Sequence, residues 1–243
     1  MVMRILITND DGIASPILPV LAKRAQELGE VTVIAPKVEQ SGKSHAIDFT
    51  RPIEVKRVDI GDGIRAYSMD STPADCVRFA VCGLKEHFDL VISGVNRGFN
   101  LGKDIVYSGT IGAIFEAARL GINGVALSTD PRTFRAAENK LDTVLEFFCK
   151  HDLLGRNTIY NVNIPLDDKG IRVTRQGGIY FTDDFILREG DIYVQVGEMA
   201  KNDSADLTLD TVAVINNYIS ITPLTCEKTN LPLFEELNEE LAR

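Results

Sequence analysis

A chain of 243 residues with 44% hydrophobic side chains can bury a core as a single α/β domain, and no apolar run is long enough to span a bilayer. A formal net charge of −9 argues against binding nucleic acid polymers or anionic membranes, which call for basic patches. The four cysteines lack C-x-x-C or metal-finger spacing and read as reduced, mostly buried thiols of a cytoplasmic protein. On so acidic a chain an anionic ligand needs local help from a bound cation or a helix N-terminus.

In chain order, Arg4 to Thr8 is an apolar run that reads as a buried parallel strand rather than a signal peptide. It empties into Asn9-Asp10-Asp11-Gly12, where a turn at Gly12 lets two adjacent carboxylates aim at one point. Ser15 and Pro16 cap a helix expected to run to about Leu28 and stop at Gly29, with Pro19 complicating its start. Val31 to Ala35 completes a strand–helix–strand unit, which implies parallel pairing and a right-handed crossover. Ile53 to Val58 and Ile64 to Met69 flank the turn dipeptide Asp62-Gly63, and Thr72-Pro73 opens a helix ending near Gly83.

Asp89 to Ser93 is a further buried strand, followed by a loop rich in glycine and asparagine from Gly94 to Asn100. Ser108-Gly109-Thr110 starts a helix ending at Leu120-Gly121, Val125 to Ser128 is a strand, Ala136 to Lys150 a helix, and Ile159 to Ile164 a strand stopped by Pro165. This alternation predicts a Rossmann-like, doubly wound, mostly parallel sheet over residues 1–165. Residues 166–243 read as a β-rich extension of the same α/β domain. Its strand-like pieces are Ile171 to Thr174, Ile192 to Val196, Val212 to Ile215 and Ile219 to Thr222, with an acidic amphipathic helix from Phe234 to Arg243. The unpaired edges of such strands suit cover by a second subunit.

Strand ends in a doubly wound sheet share one crevice, and three of them carry oxygen ligands: Asp10 and Asp11, Ser41, and Asn96. Two carboxylates with a hydroxyl and an amide oxygen make a hard, open site suited to Mg²⁺ or Mn²⁺. Backbone N–H groups and hydroxyls at Ser108, Gly109 and Thr110 offer a phosphate cradle at a helix start, and His45 is a phosphate donor or a packing residue. No G-x-G-x-x-G follows the first strand and no lysine-bearing P-loop is present.

Several blocks in succession resemble the SurE, or stationary-phase survival protein, family. They are Asn9-Asp10-Asp11-Gly12, Ala35-Pro36 with Ser41-Gly42, Ser71 to Cys76, Ser93 to Asn100, Tyr107 to Thr110, and Ser220 to Leu224. The resemblance implies a metal-dependent 5′/3′-nucleotidase acting on nucleoside monophosphates, with one divalent ion per subunit. It implies metal ligands at Asp10, Asp11, Ser41 and Asn96, with Asp10 and Asp11 also catalytic. Phosphate contacts fall at Asn9, Asn100, Ser108, Gly109 and Thr110. It also implies a homodimer or homotetramer built through exchanged C-terminal segments. Two departures stand out: Lys37 to Gln40 lacks the arginine and asparagine often found there, and Asn217 replaces a usual glycine. The rival readings are an aspartyl-phosphate phosphatase and a nucleotide- or metal-sensing module without turnover.

Overall fold

The computed structural model describes residues 2–241. Eleven strands form among them: β1 (Met3–Thr8), β2 (Gly29–Pro36), β3 (Val55–Val58), β4 (Arg65–Met69), β5 (Leu90–Arg97), β6 (Asn123–Thr129), β7 (Ile159–Ile164), β8 (Ile171–Val173), β9 (Phe181–Glu189), β10 (Ile192–Met199) and β11 (Ile219–Leu224). The helices are α1 (Ile17–Ala25), α2 (Pro73–Arg78), α3 (Gly109–Arg119), α4 (Arg135–Lys150), α5 (Asp210–Ile215) and α6 (Leu231–Leu241). Nine strands share one sheet in the order β3-β4-β2-β1-β5-β6-β7-β11-β8, while β9 and β10 form a separate hairpin.

From β4 to β7 every pairing is parallel, with antiparallel contacts only at β3 and between β7 and β11. This is the doubly wound architecture expected for the core, and β8 and β11, from beyond residue 165, extend the same sheet. Alternation along β1 sorts its side chains to the two faces: Ile5 and Ile7 pack with Leu18, Leu21, Leu141 and Val144 under α1 and α4, while Leu6 packs with Cys76, Val77 and Ala113 under α2 and α3. After β2 the chain builds outward from one side of β1, and after α2 it returns to the other side to place β5. The carboxyl ends of β1 and β5 therefore flank the topological switch point, where such sheets open a crevice.

Local departures from expectation have physical causes. Helix α1 ends at Ala25, not Leu28, and Gly29 is the first residue of β2, opposite Met3. A Cβ at Gly29 would stand 2.1 Å from the Met3 carbonyl oxygen, so close strand approach, not helix capping, requires glycine there. Ser15 does not cap with its hydroxyl; its carbonyl accepts from the Leu18 N–H at 3.1 Å. Pro19 falls in the first helical turn, where its missing N–H costs nothing. Strand β5 continues through Gly94 and Val95 to Arg97, after a register shift beside β6, so the expected loop begins later.

Asp62 and Gly63 both have positive φ, 55° and 66°, and close the β3–β4 hairpin as that dipeptide should. Val212 to Ile215 is helical, in α5, rather than a strand. Buried Asp210 in its first turn accepts N–H groups from Gly102 and Gly177, and this tertiary anchor overrides β-branched propensity. Strand β9 was not anticipated. Its residues are all exposed, so no buried face patterns the sequence. Asn217 adopts φ 64°, a conformation in which asparagine replaces glycine at small cost. Only Cys76 is buried; Cys82, Cys149 and Cys226 are exposed, against the expectation of mostly buried thiols. The expected acidic helix is found as α6, and positions 242 and 243 of that expectation lie outside the described residues.

Candidate functional site

The turn after β1 is built by side chains as much as by glycine. Asn9 is fully buried; its Nδ2 donates to the Gly12 carbonyl and its Oδ1 accepts from the Gly12 N–H, both at 3.0 Å. Gly12 has φ +97° and lies against the end of β2, where the Ile13 N–H donates to Pro36 O at 2.8 Å. The reversal delivers Asp10 and Asp11 to a cleft of about 360 Å³ at the switch point. Asn9 is not among the residues that line it; its amide locks the turn.

Asp10 is 4% exposed and receives the Thr110 hydroxyl on Oδ1 at 2.8 Å. Burial pushes its carboxyl up to about 6, opposed by the Thr110 hydrogen bond and reinforced by the neighbouring charge of Asp11. Thr110 also presents its backbone N–H to Asp10. The positive end of α3 and its first-turn hydroxyl thus hold Asp10. Gly109 stands beside Asp10, where a Cβ would come within 3.2 Å of the Asp10 Cβ. Gly109 and Thr110 therefore stand at the site, packed against the Asp10 carboxylate. Of the expected trio Ser108 alone lines the cleft, while its Oγ caps α3 by accepting from the Ile111 N–H at 3.2 Å.

Asp11 is also raised, first by burial and then by Glu39, against the backbone N–H and charge of Arg97. Its Oδ2 is buried without a hydrogen-bond partner among the described residues. An orphaned buried carboxylate oxygen is costly unless a cation or donor meets it. Ser41 comes in on the loop after β2, tied down by the Gln40 N–H to Asp10 O bond at 2.7 Å, and its hydroxyl donates to Glu39 at 2.6 Å, leaving lone pairs for a ligand. Asn96, at the end of β5, donates its Nδ2 to Gly98 O at 2.8 Å, which leaves Oδ1 available to a ligand. Among the described residues no cluster of three His, Cys, Asp or Glu side chains is placed to hold an ion, so the fit rests on two carboxylates joined by neutral oxygens. That mixed, hard-oxygen donor set fits a divalent cation that keeps open positions.

Asn100 lines the same cleft. Its Nδ2 donates to Ser128 Oγ and its backbone carbonyl receives Asn161 and Asn163, so three polar residues on two strands, β6 and β7, fix it. His45 is turned elsewhere, with Nε2 2.8 Å from Glu116 on α3. An apolar cavity of about 170 Å³ under α4 lies at the opposite end of the sheet, beside the first residues of β1 and β5, and offers no comparable polar convergence.

A family model described as Survival protein SurE matches residues 5–183, which include every residue of this cleft. The chain belongs to the SurE family. The protein named 5′-nucleotidase SurE from Thermosipho melanesiensis is 37% identical over 248 residues, spanning 98% of this chain and 97% of its own. The one of that name from Legionella pneumophila is 37% identical over 250 residues, with 98% and 97% covered. Among solved structures, the SurE protein from Aquifex aeolicus aligns with a TM-score of 0.79 at 32% identity, covering 97% of this chain and 98% of that one.

The SurE cleft also contains residues that sequence reasoning did not single out. Glu39, Arg97, Asp104, Tyr107, Phe181 and Asp183 line it. Tyr107 and Arg97 sit inside quoted motifs and could have been found there; Asp104, Phe181 and Asp183 carry no local signal. Asp104 Oδ2 accepts the N–H groups of Tyr180 and Phe181 at 2.9 and 2.7 Å, stapling the base of the hairpin to the cleft wall. Gly102 makes that junction possible: with φ +54°, its hypothetical Cβ would stand 1.8 Å from Gly178 O. Gly102→Ala is expected to destabilise this SurE chain by about 2–3 kcal/mol and to weaken substrate binding through the displaced wall, checked by denaturant unfolding and by KM.

Proposed function

We propose that this chain is a divalent-metal-dependent 5′-nucleotidase, which hydrolyses nucleoside monophosphates to nucleoside and phosphate and extends to 3′-monophosphates. The observation that carries the reading is the convergence of Asp10, Asp11, Ser41 and Asn96 on one cleft, with a buried Asp11 oxygen that nothing else satisfies. One Mg²⁺ or Mn²⁺ per subunit is the ion inferred. When bound, such a cation neutralises phosphoryl charge and lets water act as a nucleophile near neutral pH. Asp10 and Asp11 would hold the ion, and the carboxylate oxygen left free would accept the proton of the attacking water. The new O–P bond forms as the ester O–P bond breaks, and the departing nucleoside oxygen takes up a proton. Ser108 and Asn100 face the phosphoryl position as donors, and Arg97 supplies the cleft's cationic side chain.

The wider assignments follow from the same reading. The hairpin of β9 and β10 exposes Phe185, Leu187, Ile192 and Tyr193, and α6 exposes Leu233, Phe234 and Leu237 with none of its described residues buried. Apolar arms of this kind suit a homodimer or homotetramer, so the oligomerisation role of residues 166–243 falls to them. Free thiols agree with the cytoplasm, and no described helix is long and apolar enough to cross a membrane.

A phosphate-release assay on AMP, GMP, 3′-AMP and an aryl phosphate tests the activity. Release is expected with Mg²⁺ or Mn²⁺, lost on chelation with EDTA, and restored by returning the metal. Tight nucleotide binding without release under every metal condition would make the chain a sensor, and a trapped phospho-aspartate would overturn the water mechanism.

A further inference from the structure

The floor of the cleft is polar and accounts for the phosphoryl group, but its rim is not. Two aromatic rings, Tyr107 and Phe181, line the same cavity and are 61% and 45% exposed. Aromatic side chains open to water at the mouth of a polar cleft offer an apolar face to whatever enters it. Each is also held firmly. Tyr107 ends the short 3₁₀ turn that leads into α3, and its carbonyl accepts the Ser44 N–H at 2.9 Å. Phe181 has its backbone N–H on Asp104, and its ring meets Tyr180 edge-on, with centroids 4.9 Å apart and planes at 87°. Tyr180 is 8% exposed and packs with Leu101 and Val214, so the support beneath Phe181 is a buried cluster.

We propose that Tyr107 and Phe181 form the base-binding platform of this nucleotidase, taking the purine or pyrimidine of the substrate by stacking while Asp10 and Asp11 attend to its phosphate. The inference rests on the nucleotidase reading and adds where the base goes. Stacking requires only a π-face, so the platform accepts all bases and ranks purines above pyrimidines by area. Asp104 is the positioning residue: its two hydrogen bonds set the height of Phe181 over the cleft wall.

The test compares AMP with ribose 5-phosphate, which keeps the sugar phosphate and lacks the base. Tyr107→Ala and Phe181→Ala are each expected to lower the ratio of kcat/KM for AMP to that for ribose 5-phosphate by about tenfold, through KM for AMP, with Tyr107→Phe restoring it. A ratio unchanged in both alanine variants would overturn the platform. So would a parallel loss on both substrates with an altered oligomeric mass, which would make the rings subunit contacts. A second measurement is independent of turnover. In saturation-transfer NMR on EDTA-treated protein, adenosine should show strongest transfer at its base protons and lose it in the double variant. Persistence of that transfer would refute the platform. Failure of the nucleotidase reading looks different: neither substrate would be hydrolysed by the wild-type protein with metal, whatever adenosine does.

Discussion

Asp11→Asn is expected to lower phosphomonoester turnover by more than about 100-fold, because losing even an outer-sphere partner of a metal ligand costs 10–100-fold. The same substitution should leave the fold intact. Burial raises the Asp11 carboxyl and leaves one of its oxygens unpaired, so the charge is a liability to the metal-free protein. Removing it should hold or raise the thermal midpoint measured in EDTA. The wild-type protein should gain about 2.7 kcal/mol of stability at a metal concentration of 100 Kd, a gain that binding to the native state alone requires and that the variant should lack. Near-normal turnover at saturating metal, or equal metal stabilisation of both proteins, would remove Asp11 from the ligand set.

A loss of stability as large as that at Gly102→Ala is expected at Glu116→Gln. Glu116 lies on α3 with a side chain 2% exposed and meets three partners: the His45 ring at 2.8 Å and the guanidinium groups of Arg78 at 3.3 Å and Arg119 at 2.6 Å. Burial alone would raise its carboxyl, but hydrogen bonds from His45 and Arg119 outweigh it and hold the group at about 2. Gln keeps the shape and loses the charge. With partners themselves partly exposed, the expected cost is about 2–3 kcal/mol, the range of a hydrogen bond to a charged group and below that for breaking a fully buried pair. For a chain of this size that lowers the thermal midpoint by roughly 5–10 °C.

The pH dependence has a definite sign. Because the folded carboxyl titrates below its unfolded value of 4.5, its contribution is complete above about pH 4.5 and is lost as pH falls toward about 2. Acid unfolding curves of the wild type should therefore be steeper across that window than those of Glu116→Gln; identical slopes would show that the cluster contributes nothing. The cluster also bears on the site, since His45 anchors the loop that carries Ser41 and Arg78 ties in α2.

Much of this architecture is legible in the chain because buried parallel strands announce themselves. Met3 to Thr8, Gly29 to Pro36 and Ile159 to Ile164 are apolar or β-branched runs between turn residues, and the carboxylates at their ends follow from strand-end geometry. Ser41 and Asn96 were reachable by the same rule, and both line the cleft. What is not legible shares a cause. The partners of Thr110, Gly109 and Asn9 depend on which neighbour stands opposite, here Asp10 or Gly12, and that neighbour is as much as 100 positions away. Helix α5 hides behind valines because a buried Asp210 organises it from two distant loops. Phe181 and Asp183 reach the cleft only because Asp104 captures the base of a hairpin with no buried face.

Manganese anomalous scattering from crystals grown with Mn²⁺ tests the central claim most directly. One peak per subunit is expected in the cleft, at about 2.0–2.4 Å from carboxylate oxygens of Asp10 and Asp11, Ser41 Oγ and Asn96 Oδ1. Manganese bound elsewhere while those four side chains coordinate nothing would contradict the account.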